Sequence, residues 1–242
     1  MYKVELSFLH GFLGSPQDWE GVIGHLPEYS CEALSYPFQI PRGTILIGYS
    51  MGGRIALRSS NPKIVLSTHP GLQTPEKKGQ RLEHDREWIR RLEQGSLENF
   101  LKTWYAQPLF DSLRNHPEFP KIFSRRLQQD PQVLAQMLSQ ESLAHQEFTH
   151  SEAIFLHGQL DKKFAQLYQD LKIPSLEIPN AGHAAHLENP KGCAEAIRQG
   201  IKNNPAQFIT RAYACLSFFI AMLLQTAFLP FAVSVCQANL IL

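Results

Sequence analysis

Short apolar runs alternate along this chain with longer segments in which apolar side chains recur every three to four positions. Residues 4–9, 29–35, 44–47, 63–67, 153–156 and 173–178 read as strands, rich in branched or aromatic side chains and bounded by turn residues. Helical spacing marks 18–26, 54–59, 76–94, 97–105, 119–127 and 133–144, with Pro108, Pro117 and Pro131 punctuating the later ones. Strands and helices in alternation predict a mostly parallel sheet with helices on both faces. The helical stretch from 71 to 149 predicts an all-helical cap inserted between two strands, the usual lid over a site and the place where substrate choice is made. The connection from 36 to 43 is too short to hold a crossover helix. Fully extended it reaches about 26–29 Å, enough to pass one strand but not to cover the sheet, so a trimmed face covered by something else is expected there.

The run 44–47 leads into Gly48-Tyr49-Ser50-Met51-Gly52-Gly53, and a helix follows. A GxSxG between strand and helix is the nucleophile elbow of the α/β-hydrolase fold: the serine is forced into a strained turn, and the flanking glycines let strand and helix approach. Ser50 is the candidate catalytic side chain, and the backbone N–H of Met51, at the positive helix end, is a candidate oxyanion donor. The first strand runs into His10-Gly11-Phe12, where this fold takes its second oxyanion N–H, here from Phe12; an ordinary tight turn is the alternative. Asp161 follows the strand at 153–156. His183 follows the strand at 173–178, presented by Gly182. Serine, aspartate, histidine is the chain order of this fold. Taken singly, Asp161 could merely cap a helix starting near Lys162, and His183 could be a surface loop residue; together, at strand ends and in order, they favour a triad. His183 and His186 stand three apart, but no further cluster completes a metal site, so no metal is expected.

The chain has 242 residues and a formal net charge of +1, without a Lys/Arg block. That argues against a nucleic-acid partner held through phosphates, and the length suits one large core. Cys31, Cys193, Cys215 and Cys236 form no CxxC pair and no zinc spacing, which fits a reduced, cytoplasmic setting. No basic segment followed by an apolar run opens the chain, so no signal peptide is expected.

The stretches LHGFLGSPQDW, GYSMGGR, HPGLQ, DREW, WYAQPLF, LDKKF and NAGHAAHLENP run from Leu9 to Pro190. On them the chain resembles one branch of the α/β-hydrolases, the 2-succinyl-6-hydroxy-2,4-cyclohexadiene-1-carboxylate synthases of menaquinone biosynthesis. HPGLQ and WYAQPLF carry most of the likeness, because they lie in the cap, where general hydrolases differ. The resemblance implies a lyase without a cofactor, which expels pyruvate from a 5-enolpyruvyl precursor by removing a ring proton. It implies that Asp161 orients His183, that His183 deprotonates Ser50, and that the Ser50 oxyanion takes the proton. It also implies a small polycarboxylate substrate held by Arg54, Arg81 and Arg126, with Tyr49, Trp104 and Tyr105 as aromatic lining; Arg125 competes with Arg126 for its place. The other reading of an arginine on a cap helix is a solvated face. Residues 71–149 hold eleven Lys plus Arg and eleven Asp plus Glu, so bulk charge does not mark the cap as anion-binding.

The chain departs from the family in lacking a glycine-rich turn and helix between 35 and 44, and in its tail. The last helix is expected to end near Asn203, giving a hydrolase domain 1–203 and an extension 204–242 with no charged residue from Ala212 onward. At about 1.5 Å per helical residue, 212–229 would cross most of a hydrocarbon core, with Lys202 and Arg211 on the cytoplasmic side. A membrane anchor, a segment folded back on the trimmed sheet face, and a non-native extension are the three readings. Two rivals to the lyase follow: an esterase or thioesterase in which Ser50 forms an acyl-enzyme, and a non-catalytic, membrane-tethered remnant.

Overall fold

A computed structural model describes residues 3–150, 152–205 and 208. The six apolar runs form strands β1 (Glu5–Leu9), β2 (Ser30–Leu34), β3 (Ile45–Tyr49), β4 (Lys63–Leu66), β5 (Ala153–Gly158) and β6 (Ser175–Ile178). All pair in parallel, in the order β2-β1-β3-β4-β5-β6. β3 and β4 are buried along their whole length, which is why they read as continuous apolar runs rather than alternating ones. Their alternate side chains feed two cores. Ile45, Ile47, Ile64 and Leu66 pack with Trp19, Val22, Ile197 and Ile201 on one face, while Leu46 and Val65 pack with Ala56, Leu57 and Tyr168 on the other.

The helices are α1 (Glu20–Ile23), α2 (Met51–Leu57), α3 (Pro75–Gln94), α4 (Leu97–Tyr105), α5 (Asp111–Arg114), α6 (Phe119–Arg126), α7 (Pro131–Gln140), α8 (Lys162–Asp170), α9 (Ala185–Glu188) and α10 (Pro190–Asn203). α3 to α7 lie between β4 and β5. The two ends of this insertion meet: Thr149 donates its N–H to the Pro70 carbonyl at 2.8 Å, and Gly71, at φ 126°, lies so close to Phe148 that a Cβ would stand 2.7 Å from its Cα. Short side-chain caps start the helices, Thr74 accepting from Lys77 N–H, Ser96 from Asn99 and Asp130 from Gln132. The turns at 108–114 were not expected from the sequence.

The chain passes from β2 across β1 to β3 without a helix, as the short connection requires. The connector itself supplies the cover. Phe38 and Ile40 pack onto the Leu46/Val65 core, Phe38 edge-on to His10 at 5.0 Å between ring centroids. Tyr36 donates its hydroxyl to Gln140 Oε1 at 3.1 Å, and Arg58 at the end of α2 pairs with Glu141 at 2.5 Å, which ties this side of the sheet to α7. Phe208 is buried in the Ile45/Ile47 core, beyond the boundary expected at 203. The three readings of the tail fall on residues outside those described; among the described residues no helix is long and apolar enough to cross a membrane.

If Phe38 covers the sheet where a crossover helix is missing, Phe38→Ala lowers the unfolding free energy by about 1–3 kcal/mol, less than for a fully enclosed phenylalanine. Urea denaturation measures this, and an unshifted midpoint would show that the connector contributes no cover.

Candidate active site

Ser50 stands between β3 and α2 with φ 50° and ψ −108°, backbone angles that a residue with a side chain rarely adopts. Its N–H donates to the Leu66 carbonyl at 2.9 Å, and its own carbonyl accepts from Arg54 N–H at 3.0 Å. Missing side chains make this possible. A Cβ on Gly48 would lie 2.5 Å from the Gly53 Cα, and one on Gly52 would lie 2.4 Å from the His10 carbonyl oxygen. Strand, helix and the loop after β1 therefore touch backbone to backbone. The N–H groups of Met51 and Phe12 donate to no other described residue, which leaves them available to an oxyanion.

His183 is 3% exposed and Asp161 4%. The imidazole Nδ1 lies 2.8 Å from Asp161 Oδ2, so the carboxylate favours the tautomer with its proton on Nδ1 and leaves Nε2 to accept one. Asp161 Oδ1 accepts the Phe164 N–H at 3.2 Å as the cap of α8. Capping and histidine orientation, two readings of the same aspartate, are thus both satisfied, one by each oxygen. Tyr49, Phe110 and Phe164 hem the imidazole ring.

One cavity lies between cap and sheet. Ser50, His183, Phe12, Met51, Arg54, Arg81, Arg126, Tyr49, Trp104 and Tyr105 all line it; Asp161 stands behind His183. The three arginines differ in their partners. The Arg54 guanidinium makes no hydrogen bond or ion pair with a described residue; burial, then the charge of Arg81, pushes its pKa down to about 10, so it stays a cation at neutral pH. Arg81 Nε pairs with Asp85 Oδ1 at 2.8 Å, and Asp85 Oδ2 accepts the Ser142 hydroxyl at 2.7 Å. Arg126 pairs with buried Asp18 at 2.6 Å. Burial disfavours the Arg126 charge, but Asp18 and Tyr105 outweigh that and raise its pKa. Arg125 reaches the other Asp18 oxygen at 3.0 Å from the exposed side. Arg126, not Arg125, faces the cavity.

Among the cavity residues that were not singled out from the sequence are Asp18, His69, Asp85 and Lys163. The spacing of Arg81 and Asp85, four apart on one helix, could have revealed that pair. Asp18 and Arg126 stand 108 positions apart, and no local signal joins them.

Residues 8–196 match the model of the Alpha/beta hydrolase family. The 2-succinyl-6-hydroxy-2,4-cyclohexadiene-1-carboxylate synthase of Enterobacter sp. (strain 638) is 32% identical over 233 residues, covering 80% of this chain and 90% of its own. Among solved structures, MenH from S. aureus matches with a TM-score of 0.74 and 23% identity, covering 85% of this chain and 96% of that one. An esterase from Thermogutta terrifontis matches with a TM-score of 0.64 and 20% identity, over 84% of this chain and 90% of its own. At those identities the two structures show the shared fold.

His186 is a packing residue in this site. Its ring lies 4.6 Å from that of Trp19 and 4.2 Å from that of Tyr49, and neither ring nitrogen has a hydrogen-bond partner. Burial pushes its pKa from 6.5 down to about 3. Between those values the unfolded chain binds a proton that the folded chain refuses, so the contribution is whole above pH 6.5 and is lost as pH falls toward 3. His186→Phe keeps a flat ring and removes the titration. Urea denaturation at stepped pH should find its stability at pH 7 equal to or above wild type and its decline between pH 6.5 and 4 shallower; an identical decline would contradict the assignment.

Proposed function

We propose that the chain, which belongs to the Alpha/beta hydrolase family and within it to the 2-succinyl-6-hydroxy-2,4-cyclohexadiene-1-carboxylate synthases, eliminates pyruvate from 2-succinyl-5-enolpyruvyl-6-hydroxy-3-cyclohexene-1-carboxylate. One observation carries the reading: an elbow serine and an aspartate-held histidine share a cavity with three arginines. His183 takes the Ser50 proton through Nε2, and the Asp161 charge stabilises the imidazolium that forms. The Ser50 oxyanion then removes the ring proton. The electron pair of that C–H bond shifts through the ring double bond and breaks the bond to the enolpyruvyl oxygen, which leaves with the bonding pair as the pyruvate enolate and takes up a proton on carbon to become pyruvate. The N–H groups of Phe12 and Met51 stabilise the negative charge that develops on the substrate.

The arginines suit a substrate with several carboxylates. Arg54, unpaired, offers its whole guanidinium fork. Arg81 commits Nε to Asp85 and keeps its amino groups for substrate oxygens, whereas Arg126 is held by Asp18 and Tyr105 with its Nε sealed in the interior, so it offers only the remainder of its guanidinium. Tyr49, Trp104 and Tyr105 wall the ring. Residues 71–149 act as the lid that selects this substrate, on a hydrolase domain that we take to be 1–203 extended by Phe208. A cytoplasmic setting fits the free Cys31 and Cys193. Three cavity arginines favour the lyase over an esterase, whose acyl-enzyme would not call for them. The remnant reading loses its footing, since the connector covers the sheet face from which a helix is missing.

Full-length protein is the material for a coupled assay of pyruvate release, because Phe208 belongs to the core. Ser50→Ala should lower kcat by roughly 10²–10⁴-fold, the range of a general base. Arg54→Ala should lower kcat/KM by roughly ten- to hundredfold, the loss of a charged hydrogen bond. Release no faster than the spontaneous reaction, from folded wild type, would overturn the lyase and direct attention to ester and thioester substrates.

A further inference from the structure

His69, on the loop after β4, lines the same cavity. Its Nδ1 accepts the Gly71 N–H at 3.1 Å. Gly71 itself is pinned, at φ 126° and against Phe148, and the His69 carbonyl accepts from Gln146 Nε2 at 3.4 Å. A neutral imidazole that accepts at Nδ1 carries its proton on Nε2. That Nε2 meets no described hydrogen-bond partner, and it is not among the sealed, unpartnered polar atoms of the interior; His69 lines the cavity together with Arg54 and Arg81. Burial, then the charges of Arg81, Lys163, Arg54 and Lys77, pushes the His69 pKa down to about 4.

We propose that His69 is a substrate-binding residue whose Nε2–H donates to an oxygen of the substrate carboxylate held by Arg54. The inference deepens the synthase reading and rests on it for the identity of the substrate. The choice of a neutral donor follows from the surroundings. Arg81 and Arg126 each have an internal carboxylate in this cavity, but Arg54 has no ion-pair partner among the described residues, so a further cation would call for a further carboxylate. A neutral imidazole needs none, and it adds a hydrogen bond to the anion without adding to the repulsion among Arg54, Arg81 and Lys163. A carboxylate gripped by one guanidinium still has lone pairs to accept it.

The test uses His69→Leu and His69→Gln in the full chain, the glutamine amide restoring an N–H donor near the place of Nε2. Two readouts are taken: KM and kcat for pyruvate release, and the calorimetric Kd of 2-(3-carboxypropanoyl)benzoate, an aromatic ring with a carboxylate and a succinyl group placed as in the synthase product. The expected result is a rise in KM and Kd of roughly tenfold or more in His69→Leu, with kcat within about threefold of wild type and His69→Gln close to wild type, as for one lost hydrogen bond to a charged group. Wild-type KM and Kd in His69→Leu would overturn the proposal. Equal losses in both variants with a lowered Tm would also overturn it, in favour of a structural role. Wild type that binds the benzoate but releases no pyruvate, with binding lost in His69→Leu, would sink the synthase reading and leave the subsite standing.

Discussion

Where β3 turns into α2, the carbonyl oxygens of Leu9 and His10 approach Gly52 so closely that no side chain fits between them. That contact presses the end of β1 against the start of the helix and holds Ser50 in its positive-φ turn. It also sets the Phe12 and Met51 N–H groups on the two elements that meet there. The order of the strands supplies the same neighbours: the chain lays β2 on one side of β1 and β3 on the other, so the crevice at the carboxyl ends of β1 and β3 opens where the winding reverses. Topology chooses the place, and the glycines let the backbones close on it.

The histidine side is built with similar economy. Asp161 caps the start of α8 with one oxygen and fixes His183 with the other, so the carboxylate is held by secondary structure before it serves any chemistry. The insertion is tied at its neck through Pro70, Gly71, Phe148 and Thr149. The same neck fixes the His69 ring. A helical insertion joined to the sheet in this way brings Arg81, Trp104, Tyr105 and Arg126 to the same cavity as a serine and a histidine from loops at the strand ends.

The six strands were legible because buried parallel strands are continuous apolar runs, and the hydrolase fold followed from GxSxG in its strand and helix context. The missing crossover helix was legible from chain length alone, but its replacement was not: that Phe38 and Ile40 turn inward is decided by the sheet they meet. The helix expected over 133–144 stops at Gln140. Glu141 leaves it to meet Arg58 and Tyr36, and the Ser142 hydroxyl turns to Asp85 and the Ala144 N–H. The turns over 108–114 escaped notice because a proline-led element of a few residues is too short to show a period. The candidate triad residues could be named from loops at strand ends. Whether Arg125 or Arg126 faces inward could not, since neighbours in a short helix differ only in what packs against them, and Asp18 comes from the far side of the fold.

Two of the three cavity arginines carry a carboxylate of their own. Paired charges of this kind largely cancel at a distance and act only at contact. The field of the cavity therefore comes chiefly from Arg54 and Lys163, which have no ion-pair partner among the described residues. Discrimination then falls less to bulk charge than to the short-range geometry of donors that engage only once a ligand of the right outline has entered.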